Sequence, residues 1–81
     1  MKHIFLERFV RQLESFPIDT QNKFYKQLNF LLNNIRHPSL HAKKYDETKG
    51  IWQARVDKNI RFYFQIDGET YILLGVERHK K

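Results

Sequence analysis

The stretch "WQARVDKNIRFYF", residues 52–64, decides the fold of this chain. Apolar and polar residues alternate on both sides of the turn "DKN", a pattern typical of two antiparallel strands with one face in a core. The inward set that this alternation predicts is Trp52, Ala54, Val56, Phe62 and Phe64. The opposite face then carries Gln53, Arg55, Arg61, Tyr63 and Gln65. The stretch therefore predicts a hairpin that holds a core on one face and presents two guanidinium groups on the other.

Two amphipathic helices are predicted before the hairpin. Apolar residues recur at helical spacing in two segments, and Pro17 separates them because proline breaks a helix interior. Asp19 or Thr20 is expected to cap the second helix by accepting a hydrogen bond from a free amide of its first turn. That helix should end near Arg36, because Pro38 disfavours helical geometry in the residue before it.

Further strands are predicted on either side of the hairpin. Residues 42–46 form a short strand, and Asp67-Gly68 is a strong signal for a second hairpin. In the last strand, "TYILLGVE", we expect the inward residues to be Ile72, Leu74 and Val76. Residues 2–6 are open to two interpretations, a short edge strand or the beginning of the first helix.

Together these elements predict an α+β fold in two layers. An N-terminal helical hairpin packs on one face of a small antiparallel sheet, a three- or four-stranded meander, because the apolar face of the sheet has to be covered. The length of 81 residues allows one domain, residues 1–81, with one modest core.

Composition and charge restrict the function classes. The chain has no cysteine, which excludes disulfides and thiolate metal sites and fits a reducing cytoplasm. It has no apolar run near the roughly 20 residues that span a bilayer, and its N-terminus does not resemble a signal peptide. Its net charge of +6 favours a polyanionic or acidic partner.

Three basic groups are candidates for binding such a partner. On the open face of the hairpin, guanidinium groups suit phosphate and Tyr63 suits stacking on a base or a ribose. The C-terminal "RHKK" follows the last strand, and its histidine can act as a general acid or base. The third group lies in or beside the first strand of the meander. The candidates are Arg55, Arg61, Tyr63, Gln53, Arg78, His79, Lys80, Lys43 and Lys44.

The same residues also have an ordinary structural interpretation. Arg, Gln and Tyr are common on a solvated sheet face, terminal charge runs are usually frayed tails, and lysines protect strand edges. Other chemistries have less support. Pro38 lies between His37 and His41 and prevents them from sharing a helix face, and the sequence contains no glycine-rich phosphate loop.

The ordered set of "HPSL", "KGIWQARVDKNIRFYFQI" and a last strand running into "RH" resembles the RelE/ParE superfamily of bacterial type II toxins, over nearly the whole chain. The resemblance implies a small antiparallel sheet with two N-terminal helices on one face. It also implies a cytoplasmic, ribosome-dependent endonuclease that cuts mRNA in the ribosomal A site. In this family the ribose 2′-hydroxyl attacks the adjacent phosphate without a metal, and a cognate antitoxin neutralises the toxin.

The resemblance also implies roles for particular residues. Arg61 matches the arginine that contacts the scissile phosphate, and Arg55 matches a basic residue that stabilises charge developing in the transition state. His79 resembles a general acid for the leaving 5′-oxygen, and Lys44 a basic residue of the first meander strand.

Two departures from the family pattern keep other functions open. Gln53 stands where some members have a lysine, and the chain lacks the tyrosine that many members carry after the last strand. One alternative is a relative without nuclease activity, either a gyrase inhibitor of the ParE kind or an inactive antitoxin-binding module. Another is a basic binder of single-stranded nucleic acid with no toxin role.

Overall fold

A computed structural model describes residues 1–79. Five strands form one sheet in the order β1-β5-β4-β3-β2, and two helices pack on it. The elements are β1 (Lys2–Phe5), α1 (Glu7–Glu14), α2 (Ile18–Asn33), β2 (Lys43–Asp46), β3 (Ile51–Arg55), β4 (Ile60–Asp67) and β5 (Thr70–Arg78), with a 3₁₀ turn at Pro38–Leu40 between α2 and β2. The α+β fold and the four-stranded meander, β2 to β5, are confirmed. Within the described residues, no helix is long and apolar enough to cross a membrane.

The N-terminal segment forms an edge strand, which settles the choice that the sequence left open. β1 pairs in parallel with β5, from Lys2 opposite Thr70 to Phe5 opposite Leu73, so the sheet is mixed rather than purely antiparallel. The backbone of Leu6 is still extended, and its amide donates to the Leu73 carbonyl at 3.1 Å. The first helix therefore begins only at Glu7.

Beyond the end of β1, α1 protects the free edge of β5. The amide of Val76 donates to Oε1 of Gln12 at 2.9 Å and so finds a side-chain acceptor where no strand is available. Gly75 permits this approach, because a Cβ built there would lie 3.0 Å from that same oxygen.

The predicted ends of α2 are wrong at both termini. The helix begins at Ile18 with Pro17 in the capping position, and neither Asp19 nor Thr20 provides a side-chain cap. It ends at Asn33, well before Arg36, because Asn34 is extended. The Asn34 side chain accepts from the amide of Arg36 at 3.0 Å, and this local turn competes with another turn of helix.

The core lies between the helices and the face of the sheet predicted for it. Phe9 of α1, Phe24 of α2 and Phe62 of β4 are fully buried, and ring centroids of Phe24 lie 5.0 Å from Phe9 and 5.2 Å from Phe62. Ala54, Val56 and Phe64 are also buried, and Trp52 packs partly buried against the same cluster. The inward set predicted for the hairpin is therefore confirmed.

The prediction for β5 is wrong in its first part. The buried residues are Tyr71, Leu73 and Val76, whereas Ile72 and Leu74 are only half-buried. The register explains this difference, because Phe64 faces Leu73 and the preceding Tyr63 faces Gly75, so one extra residue, Leu74, is bulged out of the ladder. A bulge reverses the alternation of faces along its strand.

Candidate nucleic-acid interface

A cavity of about 410 Å³ opens at the end of the sheet where β3, β4 and β5 meet the segment before β2. We call it the basic cavity; its lining residues are His41, Ala42, Lys43, Gln53, Arg55, Arg61 and His79. Five of them were predicted from the sequence as site residues, and they come from three strands and the segment that follows β5. The fold thus gathers separate basic residues of the sequence around one space.

Arg55 and Arg61 lie directly opposite each other on β3 and β4. Nη1 of Arg61 donates to the backbone carbonyls of Asp57 at 2.7 Å and Ile60 at 3.3 Å. Within residues 1–79, neither arginine has a carboxylate oxygen within 4.0 Å. Among the described residues, this pair of like charges therefore has no ion-pair partner.

Arg61 is more buried than its predicted place on an open face implies, with 8% of its surface exposed. Its side chain turns back to the β3–β4 turn to reach the carbonyl of Asp57, which removes it from solvent. Burial, and secondarily the charge of Arg55, lower the pKa of Arg61 below its ordinary value. An arginine still carries its charge at neutral pH, so the cavity holds a desolvated cation.

Two imidazoles border the same cavity. His79 follows β5, and its amide donates to the carbonyl of Asn59 at 2.8 Å, which ties it to the tip of the β3–β4 turn. His41 follows the Pro38–Leu40 turn in a left-handed conformation with φ 46°. The sequence analysis did not place His41 in the site. The available signal was its position two residues before Lys43.

Gln27 of α2, also not predicted, connects two walls of the cavity. It is 6% exposed, and its Nε2 donates to the carbonyls of Ser39 at 3.1 Å and Arg55 at 2.9 Å. Its Oε1 accepts from the hydroxyl of Ser39 at 3.2 Å, and that hydroxyl lies 2.9 Å from Nδ1 of His37. One helix residue therefore holds the turn that leads to His41 and the strand that carries Arg55.

Three further predicted residues, Tyr63, Lys44 and Arg78, lie outside the basic cavity. Tyr63 is half-buried on the same face of the sheet, and its hydroxyl accepts from Nε2 of Gln53 at 3.3 Å. Lys44 pairs with Trp52 and so points to the helix side of the sheet, with Nζ 6.0 Å from the Trp52 ring centroid. Arg78 lies over the ring of Phe16 at 5.9 Å. The predicted Lys80 lies outside the described residues.

The polar side chains that line the cavity carry guanidinium, ammonium, imidazole and amide groups. Among residues 1–79, no group of three or more His, Cys, Asp or Glu side chains is arranged to hold a metal ion. What the cavity offers chemically is two guanidinium groups, one ammonium group and two imidazoles around a single space. Such a set suits a phosphate group, with imidazoles nearby that can transfer protons.

No protein-family model matches the sequence, and no curated protein matches it significantly. Solved structures match its fold. The YoeB dimer from Staphylococcus aureus superposes with a TM-score of 0.82 at 13% identity, covering 99% of this chain and 98% of that one. A YoeB/ParE toxin from Agrobacterium tumefaciens gives a TM-score of 0.80 at 12% identity, covering 99% and 100%.

Another solved structure superposes less closely but has a higher sequence identity to this chain. The RelB–RelE antitoxin–toxin complex from Methanococcus jannaschii gives a TM-score of 0.75 at 20% identity, covering 93% of this chain and 88% of that one. These likenesses extend over nearly the whole of every chain compared. The fold expected from the sequence is confirmed, and this chain has the fold of the RelE/ParE toxins.

Proposed function

We propose that this protein is a toxin of the RelE/ParE superfamily that cleaves mRNA on the ribosome. The observation that carries the proposal is the basic cavity, where the unpaired Arg55 and Arg61 face each other beside two imidazoles. A buried cation without a carboxylate partner is unfavourable for folding, so its presence favours an anionic ligand that completes the site. The fold of the YoeB and RelE toxins supports the same function.

The cavity provides the groups that RNA cleavage through the 2′-hydroxyl requires, without a metal. Arg61 and Arg55 bind the non-bridging oxygens of the phosphate and stabilise the charge that develops on them. The 2′-oxygen attacks phosphorus as its proton passes to His41, and the bond from phosphorus to the 5′-oxygen breaks as His79 gives that oxygen a proton. The products are a 2′,3′-cyclic phosphate and a 5′-hydroxyl. Both histidines border the cavity from different segments, which suits two separate roles.

The proposal includes a cellular setting and a protein partner. The protein works in the cytoplasm on mRNA in the ribosomal A site, where its net charge of +6 favours approach to the ribosomal polyanion. A cognate antitoxin neutralises it in growing cells. The RelB–RelE and YoeB–YefM structures contain such toxin–antitoxin pairs, which supports this partner.

The test is induced expression in a bacterium, followed by primer extension on abundant mRNAs. We expect growth arrest and cuts in phase with codons, both dependent on active ribosomes. Arg61→Ala should lower the cleavage rate by about 10²–10³, the usual loss for one transition-state donor, and abolish the arrest. Arg36→Ala, an exposed arginine outside the cavity, is the matched control and should remain toxic. A folded Arg61→Ala protein that still arrests growth would contradict the proposal.

A second candidate is a relative without nuclease activity, such as an inhibitor of DNA gyrase or an antitoxin-binding module. The observation in its favour is Gln53, which is 6% exposed, contributes no charge to the cavity and is occupied by its bond to Tyr63. Growth arrest with intact mRNA and signs of DNA damage would support gyrase inhibition. No arrest at all would support an inactive relative or a simple nucleic-acid binder.

A further inference from the structure

A second concave surface lies on the same face of the sheet as the basic cavity. It has a volume of about 400 Å³ and a different chemical character. Its principal side chains are Tyr45, Tyr63, Gln65, Leu74 and Glu77, with Arg8 of α1 at its border. We call it the aromatic groove. The bulge in β5 contributes to it, because that bulge leaves Leu74 out of the core.

The groove and the basic cavity are continuous through a contact between neighbouring strands. Tyr63 lines the groove, Gln53 lines the cavity, and Nε2 of Gln53 donates to the Tyr63 hydroxyl at 3.3 Å. Arg61 in the cavity also lies directly opposite Glu77 in the groove, on β4 and β5. A ligand with its phosphate at Arg61 therefore has the groove directly beside it.

The two surfaces suit different parts of a nucleotide. The described lining of the basic cavity has cationic and imidazole groups and no carboxylate, which suits a phosphate. The groove combines aromatic and aliphatic side chains with the amide of Gln65, the carboxylate of Glu77 and the guanidinium of Arg8. A carboxylate repels the phosphate backbone but accepts hydrogen bonds from the amino groups of bases.

Tyr45 is the most accessible aromatic group of the groove. It is 60% exposed, and its ring meets that of Tyr63 edge to face, with centroids 5.0 Å apart and planes at 61°. An edge-to-face pair leaves ring surface free for a further partner. The Tyr63 hydroxyl accepts from Gln53, so its own proton is free for a ligand. Stacking on aromatic side chains is the usual way in which proteins hold unpaired bases.

We propose that the aromatic groove binds the base of the nucleotide next to the phosphate held by Arg61, with Tyr45 as the stacking surface. This inference rests on the proposed function, because it takes the ligand to be an RNA strand. It adds a subsite and makes Tyr45 and Tyr63 determinants of base preference.

The test is an NMR titration of the protein with a short oligonucleotide whose 2′-methoxy groups prevent cleavage. Tyr45→Ala should weaken binding roughly tenfold, as expected for the loss of one stacked base. Tyr45→Phe keeps the ring and should bind like the unaltered protein. Tyr25→Ala, an exposed tyrosine of α2 on the other side of the molecule, is the matched control and should leave the affinity unchanged.

An abasic oligonucleotide shows whether ring and base contact each other. Removing the base at the flanking position should also weaken binding roughly tenfold in the unaltered protein, but should have little further effect in Tyr45→Ala. If the abasic oligonucleotide and Tyr45→Ala each lower the binding free energy and the two reductions add fully when combined, the proposal is overturned. An unchanged affinity of Tyr45→Ala for the intact oligonucleotide would overturn it too.

The outcomes also separate this proposal from the function on which it rests. If binding depends on Arg61 but not on Tyr45, the proposed base subsite is wrong, whereas the proposed toxin activity is not contradicted. Failure of the unaltered protein to bind the oligonucleotide, together with no cleavage of mRNA in cells, would overturn both.

Discussion

A guanidinium group loses hydration energy when it is buried, and without a carboxylate partner nothing in the protein fully restores that energy. Arg61 is in this situation. Its two hydrogen bonds go to backbone carbonyls. One cross-strand neighbour is another arginine, and the other, Glu77, makes no ion pair with it among the described residues. Burial therefore disfavours the positive charge of Arg61 and lowers its pKa, and a bound anion would relieve this effect.

We expect Arg61→Met to raise the free energy of unfolding by roughly 1 kcal/mol, a gain in the range of single stabilising substitutions. A methionine chain is flexible enough to occupy the same space and carries no charge. Urea unfolding of the two proteins measures the difference, with Arg36→Met as the control at an exposed position. At constant ionic strength, phosphate should stabilise the unaltered protein more than Arg61→Met, because only the former keeps the full anion site. Destabilisation by Arg61→Met would show that the buried charge is already compensated.

The sequence predicted which face Arg61 occupies but not how deeply it is buried. Alternation along β4 determines the face, and the inward positions of Phe62 and Phe64 confirm it. Burial depends on the β3–β4 turn, where the carbonyl of Asp57 attracts the guanidinium group back toward the backbone. His41 and Tyr45 were missed for a related reason. Both lie close to predicted lysines in the sequence, but that proximity does not identify their neighbours across the sheet.

At the scale of elements, the basic cavity depends on the buried side-chain amide of Gln27, which connects the helix layer to the sheet. Gln27 gives α2 two hydrogen bonds to carbonyls in different segments, one before β2 and one at the end of β3. When the donor is removed, a buried acceptor is left without a hydrogen-bond partner. The free-energy cost of that unpaired acceptor is larger than the net contribution of the hydrogen bond to stability. α2 therefore has a positioning role in addition to its place in the core.

We expect Gln27→Leu to lower the free energy of unfolding by about 1 kcal/mol, because it leaves two partly buried carbonyls without this donor. The amide resonances of His41 and Arg55 should shift more than those of β1, which lies at the opposite edge of the sheet from β2. Ser39→Ala removes only the hydroxyl contact and should have a smaller effect on both measurements. If Gln27→Leu leaves these resonances unchanged, the position of Arg55 does not depend on α2.

Element boundaries were predicted less well than element types, and the failures have local causes. The side chain of Asn34 forms a turn that ends α2 early, and this effect is stronger than that of the later Pro38. The bulge at Leu74 reverses the alternation in β5, and a periodic pattern contains no information on where a residue leaves the ladder. The alternation along β3 and β4 has no such interruption, and the sequence was sufficient to predict which of their residues face the core.

At the scale of the whole molecule, the net charge of +6 and the placement of the charges have different consequences. Overall charge favours any polyanion and gives no geometry. The basic cavity concentrates Arg55, Arg61 and Lys43 on one face, whereas Lys44 and Arg78 lie against aromatic rings elsewhere. Binding that uses the cavity should therefore be sensitive to the position of a charge and not only to the total.

Two substitutions that change the net charge equally can separate these effects. For single strands, each phosphate neutralised adds about 0.7 to the slope of log affinity against log salt. Lys43→Gln should lower that slope by roughly 0.7, because Lys43 lines the cavity. Lys26→Gln, on the exposed side of α2, should leave the slope unchanged. The measurement is fluorescence anisotropy with a 2′-methoxy oligouridylate over a series of KCl concentrations. Equal changes in both variants would show that the total charge, and not the basic cavity, holds the RNA.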